Sequence, residues 1–350
     1  MRLYLHIGTH KTGSTAIQYF LDANREALAA RGVLYPRSGR PQRRAIAYGH
    51  HLLANELTDP RPAARRRQRA GEPRAAWDAL KAELRDARED IAVVSAEGFD
   101  RLATQQQFSA LRSYLDGLDV KVVAYLRRQD KFLSSYYCQH VLYRGETREF
   151  EEFRRGLRTE IDYERLLGRW EDAFGPDALI VRPYERSALA NGDVVDDFCA
   201  RIGLEPGADW VRPPRAVWAD RSYPRNVVNC VRLARRAGMD EDQVGALMSL
   251  FQLVYLDRRT ESDYLSPAER GELLREFEQS NRAVAERYLD RKDGVLFDTS
   301  DLPQSGDQPE WGRRYAGRFA DLAASVSDAL EAFSRPPPEA SDAARPRSRA

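Results

Sequence analysis

The chain has 350 residues, 42% hydrophobic and 31% charged, a balance that argues against wholesale disorder and against a fibrous fold. Fifty-five Lys and Arg against 54 Asp and Glu leave a net charge of +1. That disfavours a globally basic nucleic-acid binder and leaves room for a local cationic cleft.

Only five of the cations are lysines (Lys11, Lys81, Lys121, Lys131 and Lys292), so arginine outnumbers lysine tenfold. The three cysteines, Cys138, Cys199 and Cys230, form no CxxC pair and no zinc-ligand spacing, and no metal site is expected. No apolar run approaches the ~18 residues of a membrane span. The opening Met1–Ile7 is too short and mixed for a signal peptide, and a cytoplasmic protein is expected.

In chain order, Leu3–Ile7 reads as a strand ending at Gly8, and Ser14–Arg31 as a helix stopped by Gly32. Trp77–Arg88 is helical, Ile91–Ser95 a strand, Phe108–Leu115 a helix, and Val120–Leu126 a buried strand. Asp130–Tyr143 is helical, Leu179–Val181 a strand, and Val194–Ile202 a helix. This alternation predicts an α/β fold: a parallel central sheet flanked by helices, with ligand chemistry at the carboxyl ends of the strands. From about residue 205 to 333 the pattern is mostly helical. Residues 1–333 read as one domain and the proline-bearing 334–350 as a disordered tail. Asp59–Arg74 carries six arginines and reads as a surface loop or irregular helix, with an electropositive rim as the functional alternative.

Directly after the first strand comes Gly8-Thr9-His10-Lys11-Thr12-Gly13-Ser14-Thr15, which opens a helix. A glycine-bearing turn at a helix N-terminus presents backbone N–H groups to an anion. Thr12, Ser14 and Thr15 add hydroxyls and Lys11 a full charge. Lys11 precedes Gly13, so the order differs from a Walker A loop. A Thr/Ser-rich helix cap without a ligand is the plainer alternative. A second anchor follows the Val120–Leu126 strand: Arg127 at the strand end and Ser135 eight residues on, placed to converge on one phosphate.

Together these two segments resemble the sulfotransferases that use 3′-phosphoadenosine 5′-phosphosulfate (PAPS), in particular bacterial and carbohydrate-type members. His10-Lys11-Thr12-Gly13-Ser14-Thr15 is similar to their 5′-phosphosulfate loop, and Arg127 to Ser135 with Tyr136-Tyr137 to their 3′-phosphate motif. Gly32–Pro36, Val181–Glu185 and Asp197–Leu204 also resemble family segments, and the likeness is good over roughly residues 1–205. It implies a P-loop-type nucleotide-binding architecture, PAPS as co-substrate and adenosine 3′,5′-bisphosphate (PAP) as product, with Tyr184 near the adenine. Two departures stand out. Ala16 occupies a place where cytosolic members often carry a tryptophan, and their late Arg-Lys-Gly element has no clear counterpart, Arg221–Arg225 being a candidate substitute.

The resemblance implies in-line attack by an acceptor hydroxyl on sulfur. Lys11 would stabilise the leaving phosphate oxygen, and His10, Thr12, Gly13, Ser14, Thr15, Arg127, Ser135 and Tyr184 would hold the nucleotide. Glu97, just past the Ile91–Ser95 strand, is the first choice of general base. It resembles the base of heparan-type members; a helix-capping or arginine-paired glutamate is the structural alternative. His50 and His51 are the rival bases. His6 and His140 read as structural. The acceptor is expected to be a carbohydrate or glycoconjugate. The competing functions are a P-loop-type small-molecule kinase and a non-catalytic nucleotide- or anion-binding protein.

Overall fold

The computed structural model describes residues 1–41, 48–58, 75–214, 223–255 and 264–302. The arginine-rich 59–74 segment, Arg221-Ser222 and the 334–350 tail lie outside the described residues.

Five strands form one parallel sheet: β1 (Arg2–His6), β2 (Val33–Leu34), β3 (Ile91–Ser95), β4 (Asp119–Leu126) and β5 (Leu179–Pro183), in the order β2-β3-β1-β4-β5. β1 is central, and its last residue, His6, pairs with Ser95 on β3 and Val123 on β4. The segments leaving β1, β3 and β4 therefore emerge side by side at one sheet edge. This is the P-loop-type α/β arrangement, with the first strand feeding a loop between two neighbours.

The helices, in chain order, are α1 (Ser14–Ala23), α2 (Arg25–Ala29), α3 (His51–Thr58), α4 (Ala75–Asp86), α5 (Gln105–Tyr114), α6 (Gln129–Tyr143), α7 (Phe150–Arg155), α8 (Tyr163–Phe174) and α9 (Val194–Arg201). Beyond residue 205, every regular element among the described residues is a helix: α10 (Arg225–Arg236), α11 (Glu241–Tyr255), α12 (Pro267–Glu276) and α13 (Glu278–Leu289).

Strand side chains alternate faces, so each strand serves two cores. Leu3 and Leu5 join Val94, Val122, Trp77 and Trp170 on one face. Tyr4 joins Val93, Val123, Phe20 and Phe198 on the other. A third cluster packs Phe132, Leu133 and Tyr137 of α6 against Val227 and Val231 of α10 and Val244 and Phe251 of α11. The late helices thus buttress α6, the helix that carries Ser135.

The single helix expected over Ser14–Arg31 is two helices. Asn24 breaks it: its Nδ2 donates to the Phe20 and Val211 carbonyls and its Oδ1 accepts from the Val211 N–H. That tertiary tie competes with helix propagation through Asn24.

The segment around Asp298 and Asp301 packs against the start of α6. Arg128, 1% exposed, donates to Asp130 at 2.8 and 3.0 Å and to Asp301 at 2.5 and 2.9 Å, and it also reaches the Asp298 carbonyl. Arg270 adds bonds of 2.7 Å to Asp130 and 3.1 Å to Asp301, and Lys131 lies 3.3 Å from Asp301. Hydrogen bonds from Arg128 hold the Asp301 carboxyl far below the ordinary carboxylate range.

Candidate functional site

The loop after β1 uses left-handed backbone three times within six residues: Gly8 (φ 40°), Lys11 (φ 66°) and Gly13 (φ 78°). Two of these positions require glycine for space as well. A Cβ on Gly8 would lie 2.8 Å from Ser14 Oγ, and one on Gly13 would lie 2.8 Å from Val194 Cγ1. Lys11 takes this conformation with a full side chain, at a cost of order 1–2 kcal/mol.

Internal hydrogen bonds shape the loop. The Thr9 hydroxyl donates to the Tyr125 carbonyl, and the buried Thr12 hydroxyl donates to the Thr9 carbonyl at 2.6 Å. Thr12 therefore braces the loop with its donor. Ser14 is different. It begins α1, it is buried, and its hydroxyl has no hydrogen-bond partner among the described residues. Gly13, the N-cap, supplies no side-chain cap. First-turn N–H groups without a side-chain cap thus stand beside a buried, unpartnered hydroxyl, donors of the kind that can receive an anion. Thr15 is exposed one position further on.

The segment after β4 touches the loop after β1. The Arg127 guanidinium donates to the Lys11 carbonyl at 2.9 Å, across the gap between β4 and the loop. The Arg127 carbonyl in turn accepts from the buried Tyr163 hydroxyl. Of the two serines on α6, Ser134 is buried and accepts from the Tyr264 N–H at 3.3 Å, whereas Ser135 is half-buried. Past β5, the Tyr184 N–H donates to the Leu126 carbonyl at 2.7 Å, and its ring lies 3.2 Å from where a Gly13 Cβ would sit. Of the proposed Arg221–Arg225 substitute, Arg221 and Ser222 lie outside the described residues, and Arg225 places its guanidinium 5.0 Å from the centre of the Tyr264 ring.

Glu97 follows β3 and begins a 3-10 turn over Glu97–Arg101. The preceding Ala96 N–H donates to the His6 carbonyl at 3.1 Å, which ties the start of that turn to the end of β1. Glu97 is half-buried, and its Cγ lies 3.4 Å from the position of a Gly8 Cβ. The carboxylate-bearing side chain thus stands against the loop after β1.

The two rival bases separate. His50 is fully buried with both ring nitrogens engaged: the Ser95 N–H donates to Nδ1 at 3.0 Å, and Nε2 lies 3.0 Å from the Pro36 carbonyl. Burial pushes its pKa down to about 3. It staples the chain before α3 to β3 and presents no nitrogen to a substrate. His51 opens α3 and is half-buried. His6 is fully buried, with Nδ1 2.8 Å from Ser95 Oγ.

His10 leaves the loop on the side facing α6. Its ring packs on Tyr136 at 5.0 Å, and its Nε2 lies 3.4 Å from Arg101 and 3.8 Å from Asp100. Burial, with Arg101 and Arg144 adding, lowers its pKa to about 3, so it stays neutral. Asp100 is pushed the other way, well above the ordinary carboxylate range, by burial and by Glu97. Asp100 and Arg101 carried no recognisable sequence signal. They reach the loop only because the 3-10 turn stacks residues three apart, which sets Asp100 over Glu97.

No family model matches this sequence. An uncharacterized protein of Archaeoglobus fulgidus is 27% identical over 218 residues, covering 60% of this chain and 57% of that one, so the match spans little more than half of the relative. Among solved structures, a sulfotransferase from Alicyclobacillus acidocaldarius aligns at 16% identity, covering 67% of this chain and 94% of its own, with a TM-score of 0.40.

Among the described residues, no three His, Cys, Asp or Glu side chains group as metal ligands, and no helix is long and apolar enough to cross a membrane. What the sheet edge does assemble is a helix N-terminus with a buried hydroxyl, a lysine, an arginine reaching from the end of β4 to the loop, and a carboxylate beside that loop. That set can bind a phosphorylated ligand and take a proton next to it.

Proposed function

We propose that the protein is a PAPS-dependent sulfotransferase of the cytoplasm, a single domain over residues 1–333, that sulfates a hydroxyl on a carbohydrate or glycoconjugate. The observation that supports this reading is that the Gly8–Thr15 loop, Arg127 and Glu97 follow three adjacent strands, with Arg127 bonded to the loop carbonyl of Lys11. A nucleotide with phosphates at both ends of its ribose suits two cationic anchors on neighbouring strands.

The chemistry follows from the residues. The acceptor oxygen forms a bond to sulfur while the bond from sulfur to the bridging 5′-phosphate oxygen breaks. The acceptor proton passes to the Glu97 carboxylate. The negative charge that develops on the leaving oxygen is met by the Lys11 ammonium, a compact charge on a mobile stem. Ser14 and the first N–H groups of α1 hold the 5′-phosphate, Arg127 and Ser135 the 3′-phosphate, and Tyr184 borders the adenine. Holding both partners in line supplies much of the rate.

Calorimetry with adenosine 3′,5′-bisphosphate and with Mg-ATP tests the reading. Binding of the bisphosphate, with Mg-ATP much weaker, is expected. Micromolar Mg-ATP binding without bisphosphate binding would point to the kinase instead. Transfer of radiolabelled sulfate from PAPS to a glycan panel then separates an enzyme from a silent nucleotide binder.

A further inference from the structure

The backbone that presents Arg127 is fastened from a distant part of the chain. The last bond between the β4 and β5 segments runs from the Tyr184 N–H to the Leu126 carbonyl. The next carbonyl, that of Arg127, lies past β4 and accepts from the Tyr163 hydroxyl. Tyr163 is 1% exposed and opens α8. Its ring belongs to the core that holds Leu166, Trp170 and Phe297. Burial raises the pKa of the phenol above its ordinary range, so the proton stays in place to be donated.

The start of α8 is itself held. Asp162 caps it by accepting from the Arg165 N–H at 3.2 Å. Ser280 of α13 donates to the Asp162 carboxylate at 2.7 Å and accepts from the Glu164 N–H at 3.2 Å. Gln129, two residues past Arg127, is tied to the same elements. Its Nε2 donates to Asn281 Oδ1 at 2.7 Å and to the Ile161 carbonyl at 3.4 Å, and Asn281 Nδ2 returns a bond of 3.2 Å to its Oε1. The chain that leaves β4 is thus gripped at two points by α8 and α13.

The directions open to a side chain depend on the φ and ψ of its own residue. Pinning the Arg127 carbonyl fixes ψ there, and so limits where the guanidinium can reach. At its far end that guanidinium donates to the Lys11 carbonyl.

We infer that Tyr163 is a positioning residue whose hydroxyl, through the Arg127 carbonyl, holds the Arg127 guanidinium ready for a 3′-phosphate. This rests on the reading of Arg127 as a 3′-phosphate ligand. It names a residue 36 positions away in the chain that sets how strongly the protein prefers a nucleotide carrying that group.

Calorimetry on the full chain with adenosine 3′,5′-bisphosphate and with adenosine 5′-monophosphate measures the preference. The two probes differ by the 3′-phosphate alone. The wild type is expected to bind the bisphosphate about a hundredfold tighter. Tyr163→Phe, which keeps the ring, should reduce that to about tenfold and leave monophosphate affinity within about twofold. A merely structural loss would weaken both probes together. Arg127→Gln should remove most of the preference, and adding Tyr163→Phe to it should change the preference by less than about twofold. An unchanged preference in Tyr163→Phe, equal weakening of both probes, or a further fall in the double variant would overturn the positioning role and leave the nucleotide reading intact. A wild type that does not distinguish the probes would remove the 3′-phosphate reading of Arg127, and the role of Tyr163 with it.

Discussion

Arg127 and Arg128 are neighbours in the chain and belong to opposite kinds of charge cluster. Arg128 is closed in on itself. It is buried, and two carboxylates and a carbonyl accept from it. Arg127 reaches the carbonyl of Lys11, in a loop whose Ser14 hydroxyl is buried and lacks a partner. Both lie just past β4, one bonded to the loop and the other to Asp301. In a chain with fifty arginines, guanidinium density says little. What each guanidinium bonds separates the two: Arg128 gathers carboxylates into a clasp, and Arg127 holds the backbone of the loop.

The contrast has measurable edges. The largest effect is expected from Glu97→Gln, which should keep bisphosphate affinity and lower turnover by about 10²–10⁴. Steady-state kinetics with radiolabelled PAPS and a glycan acceptor checks this, and full activity would take Glu97 out of the chemistry.

Next is the closed cluster. Asp130→Ala leaves two buried or half-buried guanidiniums short of a carboxylate and should cost about 3 kcal/mol in urea denaturation. The ratio of turnover to bound bisphosphate should hold in the protein that remains folded. A large loss of that ratio would join the clasp to the catalytic machinery and break the comparison.

Lys11→Arg should lower turnover by about a hundredfold while the urea midpoint moves little, because a planar fork replaces a slim point charge in a tight turn. Near-normal turnover would count against the role given to Lys11.

The smallest effect concerns His10. It is neutral in the folded protein, with a pKa of about 3, whereas an unfolded histidine takes up a proton near pH 6.5. Its stabilising contribution is complete above that pH and is lost as pH falls toward 3, at up to about 1.4 kcal/mol per pH unit. His10→Asn should flatten the fall in stability between pH 6 and 4 by that amount. An unchanged slope would mean that the imidazole is protonated in the fold.

Most of the sheet was legible from sequence because apolar strands of five to eight residues are bounded by clear turn signals. The positions of the Gly8–Thr15 loop and of Arg127 were legible because each follows directly on a strand end. The remainder depended on partners far away in the chain. Nothing near Asn24 announces that Val211 will claim it, and nothing near Arg128 announces Asp301, 173 residues on. His50 read as a possible base because its ring has the right chemistry; its two backbone partners are 14 and 45 residues distant. Asp100 and Arg101 were hidden by the 3-10 turn, whose stacking differs from the helical spacing used to read faces.

The left-handed backbone at Lys11 has an evolutionary consequence. Glycine and asparagine tolerate that conformation and carry no charge; arginine carries charge and is no better suited to it. A selection for thermal endurance alone should therefore favour Lys11→Gly, raising stability by roughly 1 kcal/mol while abolishing transfer. A selection for product would hold the lysine in place. At this one codon the two pressures oppose each other, and passaging the gene under each in turn would reveal which one has governed it.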